Sequence, residues 1–253
     1  MKVSIITTAY NSSRTISDTI ESVLQQTYTN IEYWVIDGNS TDDTIEIIKS
    51  YLDAFQGRLH YISEPDRGIY DAMNKGIKLC SGDIVGILNS DDFFSSDEVI
   101  ERVVAKFSDA VDAVYGDVHF VEAENTDKCV RYYSGKLFRP YMVKFGFIAP
   151  HPSFYIRKRI FDEYGPYCPD YKISGDFELI ARFCYKYNIK TKYLHLDFVT
   201  MRVGGASTHG IQARILGLKE SIEACKKIGV KTNKYMISCK YIIKIISSLL
   251  IRK

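Results

Sequence analysis

Two adjacent carboxylates, Asp91 and Asp92, follow a short apolar run at residues 84–88 that Asp83 opens. A run of this length predicts a parallel strand that is buried on both faces. Ligands of open α/β sheets collect outside the carboxyl ends of the strands, so the pair lies at a candidate site. Two negative charges about 4 Å apart repel by roughly 4 kcal/mol at an effective dielectric near 20, which favours a cation beside them.

The cations that suit this pair are Mn²⁺ and Mg²⁺. Hard divalent cations prefer oxygen ligands, commonly one or two protein carboxylates with substrate phosphates and water completing the shell. A solvated turn is the alternative, because Asn-Ser-Asp-Asp at 89–92 also suits a turn before a helix. The pair alone leaves both interpretations open.

The first hundred residues alternate between strand and helix patterns. Strand patterns occupy residues 2–8, 31–36, 59–62 and 83–88. Helical spacing occupies residues 17–26, 44–54 and 69–79. This alternation predicts a doubly wound α/β fold, with a mostly parallel, Rossmann-like sheet flanked by helices. Strand patterns at 114–118 and 130–133 extend it.

The composition narrows the function classes. A chain of 253 residues can form one large domain, or one domain with a tail. Its formal charge of +2, with acids and bases well mixed, predicts no nucleic-acid partner. The six cysteines lack zinc-site spacing and are expected as reduced thiols. The first strand pattern follows Met1 and Lys2 with no secretory signal pattern, which predicts a cytoplasmic protein.

Polar residues follow the other predicted strands as well, at 7–11, 37–39 and 64–67. Each has a structural alternative, since Gly38 and Asn39 suit a turn and Asp37 can cap a helix. Their convergence on one rim favours a binding site. No glycine-rich dinucleotide or P-loop motif occurs, so a bound nucleotide would need a metal for its diphosphate.

Four motifs in order carry a family resemblance: TTAYN at 7–11, IDGNSTDDT at 36–44, EPDRGIYDAMNKG at 64–76 and NSDD at 89–92. Together they resemble the family 2 glycosyltransferases, inverting enzymes of the GT-A fold that use nucleotide-sugar donors. The resemblance covers residues 1 to about 207. It implies a nucleotide-sugar half at 1–100, an acceptor half at 101–207 and C-terminal helices at 208–253.

The resemblance also implies roles for the donor-site residues. Thr8 and Asp37 would hold the base, with Tyr10 and Arg67 in the same donor set. Asp91 would contact the ribose, and Asp92 would ligate a Mn²⁺ or Mg²⁺ ion on the donor diphosphate. Such a cation neutralises charge on the leaving nucleoside diphosphate.

Further roles follow from the second half of the chain. Asp176, in ISGDF at 173–177, matches the family's catalytic base, whereas a helix-capping acid is its structural alternative. The resemblance also implies that His151 would contact the acceptor or the donor sugar, and that Arg202 would contact phosphate, with a salt bridge at the rim as its structural alternative. Gly204 stands where many relatives carry a metal-binding histidine, so His209 or water would supply the third ligand.

The tail at 234–253 combines an apolar stripe with basic residues. Lys240 and Lys244 interrupt it, which argues against a membrane span. An interfacial helix on the inner face of the cell membrane fits the pattern, as does a helix docked on this domain or on a second copy of the chain.

The resulting hypothesis is a metal-dependent inverting hexosyl- or N-acetylhexosaminyltransferase. It would transfer sugar from a UDP-sugar to a glycan, with a lipid-linked saccharide of surface-polysaccharide biosynthesis as the expected acceptor. A sugar-phosphate nucleotidyltransferase and a non-catalytic scaffold of the same fold are the alternatives.

Overall fold

A computed structural model describes residues 1–204 and 210–240 of the chain. Within those ranges the strands are β1 (Val3–Ala9), β2 (Ile31–Asp37), β3 (Leu59–Ser63), β4 (Ile84–Ile87), β5 (Phe93–Phe94), β6 (Ala113–Val121), β7 (Cys129–Tyr133), β8 (Tyr155–Arg157) and β9 (Thr191–Arg202). The α-helices are α1 (Ile16–Leu24), α2 (Thr44–Ser50), α3 (Ile69–Leu79), α4 (Val99–Val104), α5 (Lys158–Tyr164), α6 (Gly175–Ala181) and α7 (Gly210–Lys227). Another helix begins at residue 234 and is described to residue 240.

In the described ranges, the strands form one sheet in the order β3-β2-β1-β4-β8-β6-β9-β5, with β7 beside β6. The first four of these strands are parallel, which confirms the expected doubly wound half. Strand β8 then runs antiparallel to both β4 and β6, and β6 runs parallel to β9. The fold is therefore a mixed α/β sheet with flanking helices.

Strand β1 lies at the centre of the parallel half and is buried along its whole length. Its alternate side chains enter two apolar layers, with Ile6 on one side and Ile5 on the other. Helix α3 approaches β1 so closely that a Cβ at Gly76 would lie 2.4 Å from Ile6 Cγ2. A larger side chain would clash with Ile6 there, and the glycine lets α3 pack closely against the middle of β1.

Helix α2 is shorter than the predicted span of 44–54. It ends at Ser50, and turns occupy residues 51–57. Gln56 and Gly57 have positive φ angles of 52° and 83°, so the chain reverses there before β3. The predicted start of α2 at Thr44 is confirmed, although Asp43 at the capping position makes no side-chain cap hydrogen bond. The apolar spacing beyond Ser50 belongs to the turns.

All six cysteines are free thiols in this structure. Among the described residues, no helix combines the length and apolar character that crossing a bilayer requires. His209 and residues 241–253, which include Lys244, lie outside the described residues.

Candidate functional site

The carboxyl ends of β1 and β2 are tied together at the rim of the sheet. Asp37 pairs in register with Ala9, and the Gly38 amide donates a 2.8 Å hydrogen bond to the Ala9 carbonyl. The buried Asp37 carboxylate accepts hydrogen bonds from the Ser40 amide at 2.9 Å, the Ser40 hydroxyl and the Ser63 hydroxyl at 2.7 Å. Asp37 therefore fixes the turn at residues 38–40 and the end of β3.

Tyr10 presents an open aromatic surface beside this turn. The residue is 65% exposed although it directly follows β1. A Cβ at Gly38 would lie 3.4 Å from the Tyr10 ring and 2.6 Å from Asp66 Oδ2, so both side chains lie close to Gly38. Thr8, at the end of β1, is largely buried beneath the same rim.

The acid pair follows β4 at the same edge, and its two members differ in depth. Asp92 is only 1% exposed, whereas Asp91 is partly exposed. Asn89 Nδ2 donates to Asp92 Oδ2 at 3.1 Å, and the Thr19 hydroxyl donates to the Asp92 carbonyl at 2.7 Å. Burial raises the pKa of both carboxyls, and the charge of Asp91 raises that of Asp92 further.

Arg202, the last residue of β9, holds residues 89–92, which carry the two acids and are called the acid-pair segment below. Its Nη1 donates to the Asp91 carbonyl at 2.8 Å, and its Nη2 pairs with the Asp18 carboxylate on α1. The guanidinium also lies 5.0 Å from the centre of the Phe93 ring. With a side chain only 8% exposed, Arg202 forms the rim salt bridge that the sequence offered as the alternative to a phosphate contact.

The acid-pair segment suits a hard cation by its donor chemistry. It offers two carboxylates together with Asn89 Oδ1, a buried oxygen that has no hydrogen-bond partner in the described part of the chain. Across residues 1–204 and 210–240, no group of three or more His, Cys, Asp or Glu side chains is arranged to hold a metal by itself. These donors match the Mg²⁺ and Mn²⁺ pattern in which substrate and water complete the shell.

Asp176 lies in the first turn of α6, as predicted, and Ser174 is the capping position. Its Oδ1 accepts a 2.7 Å hydrogen bond from the Phe177 amide. Burial raises the pKa of Tyr70 and of Tyr167, and the negative charge of Asp176 raises both further. The charge of Asp176 therefore acts on tyrosines that come from separate elements.

His151 belongs to the same neighbourhood. Its Nε2 lies 2.6 Å from the Tyr167 hydroxyl, and the two rings pack edge to face. Burial lowers the pKa of His151, and the charge of Asp176 acts in the opposite direction. The tyrosine at 167 was missed by sequence reasoning, because nothing in the spacing pairs it with a histidine 16 residues earlier.

Tyr70 connects this neighbourhood to helix α3. Its hydroxyl donates to the Ile173 carbonyl at 2.8 Å, and its ring leaves no room for a Cβ at Gly175, which would lie 2.7 Å from it. The ring also stacks on Tyr167 with centroids 5.7 Å apart. Tyr70 belongs to the motif at residues 64–76 and lies on α3. Through its contacts, α3 supports the backbone just before Asp176.

Arg67, which the sequence predicted for the donor site, forms an ion pair with a neighbouring acid instead. Its side chain is 76% exposed and pairs with Asp71, one turn along the chain, at 2.9 Å. Its amide also donates to Asp71 at 3.1 Å. In this conformation Arg67 is held by its own helix start.

Comparisons with known proteins agree with this architecture. Residues 4–168 match the family described as Glycosyl transferase family 2. A PGL/p-HBAD biosynthesis glycosyltransferase of Mycobacterium bovis is 28% identical over 195 residues, which cover 76% of this chain and 73% of that protein.

Two solved structures share the fold. Staphylococcus aureus TarS 1–349 in complex with UDP-GlcNAc superimposes with a TM-score of 0.69 at 16% identity, covering 94% of this chain and 71% of that chain. The mannosyltransferase PcManGT from Pyrobaculum calidifontis, in complex with GDP-Man and Mn²⁺, gives 0.66 at 17% identity, covering 90% and 67%. A longer TarS structure is spanned over only 39% of its length. The fold is of the GT-A type.

Proposed function

Because this chain belongs to glycosyl transferase family 2 and is therefore a sugar-transferring enzyme, we propose that it transfers a hexose or N-acetylhexosamine from a UDP-sugar to a glycan acceptor. The transfer inverts the anomeric centre and depends on Mn²⁺ or Mg²⁺. The observation that carries this proposal is the convergence of Asp37, the Asp91–Asp92 pair and Tyr10 on the carboxyl rim of the parallel strands.

The donor nucleotide would lie along this rim. The exposed Tyr10 ring offers the base a stacking surface, and the turn fixed by Asp37 and Ser40 borders it. Thr8, buried at the end of β1, would help to hold the base from beneath the rim. The UDP-GlcNAc complex of the TarS fold relative supports a uridine donor here. Arg67 would contribute only after leaving Asp71.

The cation would be held at the Asp91–Asp92 step. When bound, it would neutralise the negative charge on the diphosphate as the sugar departs. Asp91 is the more accessible of the two carboxylates and would contact the ribose or the cation. Asp92, buried beside Asn89, would bind the cation from the inner side of the site. The Mn²⁺ in the PcManGT complex supports a divalent ion. The role of His209 stays a prediction.

Asp176 would act as the base. Its carboxylate would take the proton from an acceptor hydroxyl while that oxygen bonds to the anomeric carbon. The bond from that carbon to the diphosphate oxygen breaks on the opposite face, and the electron pair leaves with the nucleoside diphosphate. A carboxylate at hydrogen-bond distance from the hydroxyl suffices for this step. His151, beside Tyr167, would border the acceptor.

The acceptor would be lipid-linked, with the protein peripheral on the inner membrane face. Exposed lysines and an exposed aromatic ring cluster before and within the helix that begins at 234, namely Lys231, Lys234 and Tyr235. Basic and aromatic side chains on one surface suit anionic headgroups. A second copy of the chain is the competing partner for this region. Sedimentation with anionic and with neutral vesicles separates the two.

A donor panel tests the proposed reaction. UDP-glucose, UDP-galactose, UDP-GlcNAc and GDP-mannose are each incubated with extracted membrane lipid, with and without Mn²⁺, and free nucleotide is measured. We expect UDP release that requires Mn²⁺ and falls at least 100-fold in Asp176→Asn, while the exposed Asp170→Asn remains near wild type. Pyrophosphate released from UTP and a sugar 1-phosphate, with no UDP release in the donor panel, would favour a nucleotidyltransferase. Full turnover in Asp176→Asn would overturn the mechanism.

A further inference from the structure

Glu220, on α7, is a buried acid that lies outside the donor rim. It is 7% exposed, and its carboxylate turns toward the segment that leads into α6. Glu220 Oε1 accepts a hydrogen bond from the Lys172 amide at 2.9 Å. Its Oε2 accepts two more, from the Ile173 amide at 2.9 Å and the Ser174 amide at 2.8 Å.

Three consecutive backbone N–H groups therefore end on one carboxylate. Such bonds to an ionised acceptor are stronger than those between neutral groups, and a buried carboxylate without them would be costly. The Ser174 hydroxyl adds a 3.0 Å bond to the Gly217 carbonyl and lies 3.2 Å from the Ser221 hydroxyl. Hydrogen bonds to α7 thus fix the backbone two residues before Asp176.

The opposite side of the same segment is held by α3. The Tyr70 hydroxyl bonds the Ile173 carbonyl, while the Ile173 amide is bonded by Glu220. The Tyr70 ring packs directly on Gly175. Residues 172–175 are consequently fixed between the nucleotide half and the C-terminal helix, and α6 presents Asp176 from the end of this fixed segment.

We propose that Glu220 is a positioning residue for Asp176: its carboxylate fixes the backbone of residues 172–174 so that the Asp176 carboxylate meets the acceptor hydroxyl. This inference rests on the proposed role of Asp176 as the base. Glu220 touches no substrate and acts through the backbone alone. It makes α7, which lies in the region predicted as C-terminal helices at 208–253, part of the transfer machinery.

The position of a reacting group matters steeply, since a displacement of about 1 Å can reduce the rate on the order of 100-fold. Glu220→Gln keeps the size of the side chain but replaces one oxygen by an amide nitrogen, which opposes at least one of the three backbone N–H groups. The donor rim lies on other elements and keeps all its contacts. The variant should therefore impair transfer and spare donor binding.

Helix α7 supplies a matched control. Glu223 is exposed and pairs with Lys227 at 2.9 Å, so Glu223→Gln removes an acid from the same helix without touching residues 172–174. The measurement uses the full chain, the UDP-sugar that is active in the donor panel and extracted lipid as acceptor. UDP binding is followed by calorimetry with Mn²⁺ present.

We expect Glu220→Gln to lower kcat at least 10-fold, with the UDP Kd within about twofold of wild type. Glu223→Gln should match wild type in both. Hydrogen exchange should show faster exchange of the amides of residues 172–174 in Glu220→Gln only. A folded Glu220→Gln protein with wild-type kcat, or with unchanged exchange at these amides, would overturn the proposal.

If Glu220→Gln does not yield folded protein, Glu220→Asp takes its place. The shorter carboxylate keeps the charge but cannot span both the Lys172 and the Ser174 amides, so the same loss of kcat with intact UDP binding is expected. Wild-type kcat in Glu220→Asp would then overturn the proposal. A wild-type protein that transfers no sugar, or an active Asp176→Asn, would instead refute the proposed function, and the exchange measurement would still test whether Glu220 holds the segment.

Discussion

Arg202 and Asp91 are joined by a 2.8 Å hydrogen bond from the guanidinium Nη1 to the backbone carbonyl, across 111 residues of sequence. The second arm of the guanidinium pairs with Asp18 on α1. One side chain at the end of β9 therefore connects the acid-pair segment to the helix after β1. Its contacts make it a support for the candidate cation site at Asp91 and Asp92.

Replacing Arg202 with lysine should weaken that support. A single ammonium cannot reproduce the two-armed contact, so we expect a loss of about 1–3 kcal/mol in unfolding free energy. Because the acid-pair segment loosens, the Mn²⁺ concentration for half-maximal activity should rise several-fold. Urea unfolding and a Mn²⁺ titration measure these effects. The exposed Arg102→Lys on α4 is the control, and a wild-type Mn²⁺ response in Arg202→Lys would contradict the supporting role.

The two acids of the pair should respond differently to neutralisation. Asp92→Asn removes a buried charge that is repelled by Asp91, so the metal-free protein should unfold at the wild-type temperature or higher. Asp91→Asn, at a partly exposed position, should change the melting temperature less. We expect Mn²⁺ with UDP to raise the melting temperature of the wild type, and both variants should lose that rise. Thermal unfolding with and without these ligands tests both statements.

A Mn²⁺ and UDP response retained in Asp91→Asn but lost in Asp92→Asn would assign the cation to the deeper carboxylate alone. Retention in both would refute a cation at this step. The exposed Asp97→Asn, a few residues along the chain, controls for a general effect of removing negative charge.

The parallel half of the fold was predictable because its strands and helices each have a recognisable local sequence pattern. Strands β1 to β4 were predicted from apolar or β-branched runs. The start of α2 was predicted from the capping residue types before it. Strand β8 was not predicted, since its three residues are too few to show a period, and its antiparallel insertion between β4 and β6 depends on contacts distant in sequence.

The candidate site divides in the same way. Asp37, Asp91 and Asp92 follow strands, so strand prediction alone placed them on one rim. The contacts that fix them are absent from local patterns, because Thr19, Ser63 and Arg202 come from separate elements. Glu220 gave no signal either, since one acid on an amphipathic helix is ordinary and only the fold shows what it bonds.

The Glu32 carboxylate, at the amino ends of β1 and β2, should govern part of the acid stability. Burial by itself raises its pKa, but bonds from Ser4, Ser81 and Lys2 lower it from 4.5 to about 2. The folded pKa lies below the unfolded one, so the contribution is full above about pH 4.5 and is lost as the pH falls toward 2.

Glu32→Gln tests this contribution. The variant should be about 1–3 kcal/mol less stable than wild type at pH 7, and the difference should shrink between pH 4.5 and 2. Urea midpoints at several pH values measure it. The exposed Glu46→Gln on α2 provides the comparison, and a difference independent of pH would contradict the assignment.

Tyr155 and Tyr33 give a paired test of core polarity. Both are fully buried, but the Tyr33 hydroxyl donates to Thr7 Oγ1 at 3.0 Å, whereas the Tyr155 hydroxyl has no partner among the described residues. Tyr155→Phe removes an unsatisfied group and should stabilise the protein by about 1–3 kcal/mol, while Tyr33→Phe loses a bond and should cost about 0.5–1.5 kcal/mol. Opposite shifts of the urea midpoint are therefore expected. Equal destabilisation by both substitutions would show that the Tyr155 hydroxyl is bonded in solution.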